Sequence, residues 1–296
     1  VNIYIIGHLV PGGKWVLVDA GLFGSANKIK AEAEKIFGPG TKPQAIVLTH
    51  GHFDHVGALQ DLLKEWDVPV YAHPLEMPYL TGKSHYPPPD PGVGGGAMAY
   101  MSFLFPTNPI NLGNRLRPIE NNYIPELYDW RVIPTPGHSP GHISLFRDKD
   151  RVLIAGDAFV TVNQASAISV MTQKKELLGP PTYFTIDWEA SRQSVERLAS
   201  LYPTAAGTGH GVPMFGEELT SRLSNLVEHF DEIAIPSSGR YVTQPAITDE
   251  EGIITMPTPI SNNAAKIIAG VGLGVAVGAI IFSIFSNPSK GQKRLN

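Results

Sequence analysis

The stretch Ala45-Ile46-Val47-Leu48-Thr49-His50-Gly51-His52-Phe53-Asp54-His55 decides the reading of this chain. Its apolar start makes a short buried strand, and three imidazoles and a carboxylate crowd together at the strand's end. In extended backbone alternate side chains share a face, so His50, His52 and Asp54 point one way. One helical turn starting at Asp54 then swings His55 round toward a second position. Neutral imidazole suits zinc, iron or nickel, and a carboxylate completes the set or holds water. The run reads as the core of a site for two metal ions. The competing reading, a polar loop that happens to be rich in histidine, does not account for so dense a group of ligand-type side chains.

On either side of this run the chain alternates strands and helices. Residues 2–6 and 15–18, separated by Pro11-Gly12-Gly13, predict a hairpin. Ile29, Ala33, Ile36 and Phe37 make a helical stripe over residues 25–37, ended by Gly38-Pro39. A helix over 55–66 and a strand over 70–72 follow, the pattern of a layered α/β architecture. Residues 77–125 break that rhythm with Tyr86-Pro87-Pro88-Pro89-Asp90-Pro91 and a glycine run, and read as an irregular insertion beside the site. Strands are predicted again at 130–133, 143–147, 151–155 and 204–207. Helices are predicted at 188–202, capped by Asp187, and at 217–233.

Three further sites share the placement of the first, each beside glycine just past a predicted strand: Gly137-His138-Ser139-Pro140-Gly141-His142, Gly156-Asp157 and Gly209-His210-Gly211. Glycine turns tightly and keeps bulk away from a buried ion. Singly, each is more often a plain turn; with the first motif they supply what two ions need.

Composition narrows the partners. The 296 residues carry a net charge of -4, are 43% apolar and 17% charged, and show no basic stripe, which speaks against nucleic acid. Cysteine is absent, which removes disulfides, thiolate zinc sites and a cysteine nucleophile.

Residues 267–285 stand apart as an uncharged, nearly all-apolar run. At about 1.5 Å per residue such a helix is roughly 28 Å long, close to the hydrocarbon core of a bilayer. The expected organisation is a soluble body carrying the ligand motifs at 1–235, a linker at 236–263, a transmembrane helix at 264–286 and a basic tail at 287–296. Gly270, Gly274 and Gly278 line one face of that helix and would allow a homodimer through it. Lys290, Lys293 and Arg294 favour a cytoplasmic tail, while the absence of a leader argues for the opposite; the side of the membrane stays open.

The ordered set Val18-Asp19-Ala20-Gly21, His50-Gly51-His52-Phe53-Asp54-His55, His138, Asp157 and His210 resembles the metallo-β-lactamase superfamily over nearly all of residues 1–235. The resemblance implies an α/β fold, a four-layer αββα sandwich of two mixed β-sheets with the metals at one edge. Members usually begin with one strand more than this chain shows, which implies a truncated start. The resemblance also implies that His50, His52 and His138 hold one divalent ion, that Asp54, His55 and His210 hold a second, and that Asp157 bridges them. Zinc is the first expectation, with iron and manganese also accepted by such ligands. Asp19 would fix the histidine loop from behind, and His142 would support the site without binding metal. The implied activity is hydrolysis by a metal-bridging hydroxide, with Asp54 as catalytic residue. The cysteine-free ligand set is similar to the thioesterase and lactonase branches (glyoxalase II-like proteins and acyl-homoserine lactonases), so the small-molecule substrate is expected to be an ester, thioester or lactone. Two alternatives stand beside this: a mononuclear iron enzyme of the persulfide dioxygenase kind, and a non-catalytic, membrane-tethered binding module.

Overall fold

The computed structural model describes residues 1–259. Strands β1 (Tyr4–Gly7) and β2 (Trp15–Val18) form the expected antiparallel hairpin, pairing Tyr4 with Val18 and Gly7 with Trp15. β2 is buried on both faces, and its alternation shows why. Trp15 and Leu17 face one apolar layer, together with Ile29, Ala33 and Phe37 of helix α1 (Ala26–Phe37); Val16 and Val18 face another. β3 (Ile46–Val47) continues the sheet in parallel and delivers the histidine loop.

The helix expected over 55–66 is interrupted. α2 (Phe53–Val56) is a single turn, and α3 (Leu59–Glu65) begins after Gly57-Ala58. Gly57 N–H donates to the Gly21 carbonyl at 2.8 Å, and a side chain at Gly57 would strike the backbone of Leu22 and Phe23. The neighbouring loop therefore takes the space that a continuous helix would need. β4 (Val70–Ala72) and β5 (Leu116–Pro118) complete a sheet ordered β1-β2-β3-β4-β5, antiparallel only at its first pair. β5 lies inside the segment expected to be irregular. The rest of that segment is loop with short helical turns such as Met77–Leu80 and Ala97–Tyr100.

The second sheet comprises β6 (Arg131–Pro134), β7 (Ile143–Arg147), β8 (Val152–Gly156), β9 (Ala205–Thr208) and β10 (Met214–Phe215), ordered β10-β9-β8-β7-β6. β8 and β9 run parallel and the other pairs antiparallel, so both sheets are mixed. Helices α4 (Trp188–Ala199), capped by Asp187 Oδ1 on Ala190 N–H at 2.9 Å, and α5 (Gly216–Glu228) cover its outer face. The predicted helix at 217–233 breaks at His229, with a further turn at Phe230–Ile233.

Between the sheets, Val16, Val18 and Val47 meet Ile143, Leu145, Val152 and Ile154. On the outer faces, Leu17 and Ile46 pack under α1 and α3, while Leu153 and Ala206 pack under α4 and α5. Helix, sheet, sheet, helix is the layer order, as expected. All ligand-bearing loops leave this sandwich at one edge.

The segment read as a linker is ordered on this body over its described part. Tyr241 is buried and donates from its hydroxyl to the Pro88 carbonyl at 2.8 Å, and Ala246 N–H donates to Ile186 at 3.1 Å. β11 (Ile247–Asp249) and β12 (Gly252–Thr255) then form a small hairpin. Among the described residues no helix is long and apolar enough to cross a membrane. The expected transmembrane helix at 264–286, with Gly270, Gly274 and Gly278, and the basic tail lie outside the described residues.

Candidate metal centre

Each motif residue sits at the end of a strand. His50, His52, Asp54 and His55 follow β3, with Asp54 and His55 on the single turn of α2. His138 follows β6, Asp157 follows β8 and His210 follows β9. The structure brings all seven together. Side chains of His50, His52 and His138 converge so that their ligand atoms lie within 4.8 Å of one another, as do those of Asp54, His55 and His210, and those of His50, His55 and Asp157.

One carboxylate oxygen lies between these groups. Asp157 Oδ2 is 3.5 Å from His138 Nε2, 3.6 Å from His55 Nε2 and 3.2 Å from His210 Nε2. Asp54 Oδ2 is 3.3 Å from the same His210 nitrogen and is the more solvent-accessible of the two carboxylates. Gly209 makes room: a Cβ there would run into Asp157 Oδ1 and would approach His55 Cε1 to 2.8 Å.

The chain sets the tautomers of three rings from behind. Asp19 Oδ1 accepts from Thr49 N–H at 2.7 Å, and Oδ2 accepts from Thr49 Oγ1 at 2.8 Å and from His55 Nδ1 at 2.8 Å. Thr49 Oγ1, having donated its proton, accepts from His50 Nδ1 at 3.1 Å. Thr185 Oγ1 donates to Pro181 O at 2.8 Å and so accepts from His138 Nδ1 at 3.3 Å. In each case the Nδ1 proton is held from behind, so that the neutral form of the ring turns the lone pair of Nε2 toward the cluster. His50 Nε2 and His55 Nε2 are accordingly buried with no hydrogen-bond partner, as is Asp157 Oδ1. Buried acceptors of this kind are costly unless something electropositive meets them. The residues present fit a pair of metal ions.

Electrostatics point the same way. Burial pushes His50 and His138 well below the usual imidazole range and His52 down to about 4, which keeps these rings neutral. Burial also acts on His55 and His210, but the surrounding carboxylates outweigh it and hold both up, Asp19 and Asp157 dominating at His55 and Asp157 at His210. The second group of ligands is thus a locus of negative potential that favours a cation.

His142 stands behind the cluster. Its Nε2 accepts from Asp157 N–H at 2.8 Å, and its Nδ1 donates to Thr135 Oγ1 at 2.8 Å. Thr135 passes its proton to Ser144 Oγ at 3.0 Å, and Ser144 donates to Ala155 O at 3.0 Å. The ends of this chain are backbone groups, so every direction is fixed. Burial lowers His142 to about 3, consistent with a neutral ring.

Thr49, Thr135 and Thr185 carried no sequence signal. Glu76, a lone carboxylate between Leu75 and Met77 just after β4, was passed over as well, its apolar neighbours being the only local sign of burial. Arg115 and Arg117 flank the start of β5, beside Asp67 at the opposite end of β4 from the ligand loops; Arg115 Nε is 3.5 Å from Asp67 Oδ1.

A two-sheet sandwich with such a His/Asp cluster at its edge defines a metallo-hydrolase architecture. The metallo-beta-lactamase superfamily model matches residues 1–210, and the chain belongs to that superfamily. It is 48% identical over 233 residues to the probable metallo-hydrolase YflN of Bacillus subtilis strain 168, which spans 78% of this chain and 88% of that protein. Its identity to the probable metallo-hydrolase YybB of the same organism is 29% over 178 residues, spanning 60% of this chain and 69% of the relative. The crystal structure of a metallo-beta-lactamase family protein from Thermus thermophilus shares the fold at a TM-score of 0.52 and 20% identity, over 78% of this chain and 74% of that one.

Proposed function

We propose that the chain is a dinuclear metal-dependent hydrolase acting on a carbonyl ester, thioester or lactone. The observation that carries this reading is Asp157 Oδ2, one oxygen within 3.6 Å of ligand nitrogens from both groups of histidines. In this assignment His50, His52 and His138 hold one ion, Asp54, His55 and His210 hold the other, and Asp157 serves both. When bound, the metal pair supplies Lewis acidity and makes hydroxide available near neutral pH.

The chain's own groups do the rest. Asp54 Oδ2 is half-buried and open enough to accept a proton from an entering water and hand it toward a leaving group. Asp19, Thr49 and Thr185 keep three imidazoles in their unprotonated-Nε2 form. Phe184 stacks against His52 with centroids 4.6 Å apart, and Phe53 and Phe105 extend that wall at 5.5 Å from each other. An apolar wall beside the metal ligands suits the acyl portion of a substrate. The arginines at 115 and 117 sit at the far end of the strands, so they provide no basic pocket for an anionic thiol carrier such as glutathione. Tethering to a membrane through residues 264–286 is a further part of this reading that rests on the apolar run alone.

The test is metal content of the full chain in detergent, with hydrolysis of a thioester, a lactone and a phosphodiester by the same preparation. Two equivalents of metal with thioester or lactone turnover abolished in Asp54→Ala supports the reading. One iron per chain, oxygen uptake with a persulfide and no hydrolysis would replace it with the dioxygenase. Metal binding without turnover of any kind leaves a binding module.

A further inference from the structure

We propose that Glu76 is a positioning residue that sets the spacing between the two loops holding the first metal ion; this rests on the assignment of His50, His52 and His138 to that ion. Glu76 ends the turn Pro74–Glu76 directly after β4 and is fully buried. Among the described residues no lysine or arginine pairs with it. Its charge is met instead by four donors from three segments. Oε2 accepts from Gly51 N–H at 2.9 Å and from the Tyr86 hydroxyl. Oε1 accepts from Ser139 Oγ at 2.8 Å and Gly141 N–H at 2.8 Å.

These donors adjoin the ligands. Gly51 lies between His50 and His52, and Ser139 and Gly141 follow His138. One carboxylate therefore spans the gap between the β3 loop and the β6 loop, one oxygen to each. The two glycines permit the approach: a Cβ on Gly51 would strike the Tyr86 hydroxyl, and one on Gly141 would come within 2.8 Å of Glu76 Cγ. Tyr86 adds a second constraint. Its ring stacks on Tyr79 at 3.9 Å and meets His52 edge-on at 4.6 Å, so the hydroxyl that reaches Glu76 also fixes the ring that backs His52. Across this gap His52 Nδ1 and His138 Nε2 lie 3.0 Å apart.

A carboxylate is required by the donor count. Gln in its place presents an amide nitrogen on one side, and each side has a backbone N–H. The hydroxyls of Tyr86 and Ser139 can turn to accept, but Gly51 N–H and Gly141 N–H cannot, so one loop is released. Groups that orient ligands in this way typically change metal affinity about 10–100-fold when lost.

The test is cobalt(II) titration of the full chain in detergent, following the visible d–d absorption and chelator competition, with thermal unfolding in parallel. Glu76→Gln is expected to weaken one of the two ions about 10–100-fold, the one lost in His138→Ala, and to leave the ion lost in His210→Ala at wild-type affinity. Tyr86→Phe, which removes one donor and keeps the ring, is expected to shift the cobalt spectrum of that same ion, and it carries the test if Glu76→Gln does not fold. Wild-type affinity for both ions in the variants overturns the proposal. So does equal weakening of both ions in step with a lower unfolding temperature, the mark of a purely structural group. A wild-type chain that binds no cobalt overturns the metal assignment itself.

Discussion

Asp19 accepts the Nδ1 proton of His55 at 2.8 Å and thereby turns Nε2 of that ring toward Asp157. Asp19 holds this position with φ near 60°, a left-handed conformation that Asn tolerates better than most residues. Asp19→Asn is therefore a clean test. The amide oxygen must stay on Thr49 N–H, which places the NH2 group against His55 Nδ1 and Thr49 Oγ1. The ring then accepts at Nδ1 and carries its proton on Nε2, facing the cluster. Affinity for the ion assigned to Asp54, His55 and His210 should fall about 10–100-fold, measured by chelator competition, with little change in far-UV circular dichroism.

His142→Ala should separate support from ligation. It leaves Asp157 N–H and Thr135 without their partner and opens a cavity, a combination expected to cost about 3 kcal/mol or more in denaturant unfolding. Metal content at saturating metal should stay at the wild-type value. Loss of one equivalent would make His142 a ligand and would contradict the assignment.

Gly209→Ala should damage the site by sterics alone. The added methyl meets Asp157 Oδ1 and His55 Cε1, so either the β9 loop or the carboxylate moves. Stability should fall by roughly 1–3 kcal/mol, and turnover should fall further than stability explains. Gly216→Ala, where nothing lies within 4 Å of the new Cβ but φ is 55°, is the comparison: it strains the backbone away from the metal ligands and should leave metal binding intact.

The C-terminal part of the described chain should be needed for stability. A chain ending at residue 259 is expected to unfold at a higher temperature than one ending at 245. The shorter form lacks Ala246, which is buried against Ile186 and Tyr241, and the hairpin whose Glu251 meets Lys83 at 3.1 Å. Equal melting temperatures would mean that these contacts contribute nothing to the body.

Much of this was legible in the sequence because strand alternation and ligand spacing are local signals. Residues 15–18 and 46–47 announced themselves by apolar runs, and the motif glycines marked the strand ends. What was not legible was decided at a distance. The break at Gly57 comes from the Gly21–Phe23 loop pressing against it, which no window around residue 57 reveals. β5 is three residues long with Arg117 and Pro118 in it, tolerable because it is an edge strand paired only to β4. The polar, proline-rich composition of 236–259 reads as linker, yet Tyr241 and Ala246 find burial against the insertion and the loop before α4. Thr49, Thr135 and Thr185 act through single hydroxyls whose partners lie up to 47 residues away.

The ligand set is drawn from both sheets, and His210 is its last member. A nascent chain emerging from the ribosome exposes His50, His52 and His55 long before β9 exists to answer them. Until then those side chains form at most a loose, open chelate. Under the proposed assignment, tight metal uptake would wait until the second sheet has closed on the first, and a premature stop before residue 210 would leave the set without its last histidine.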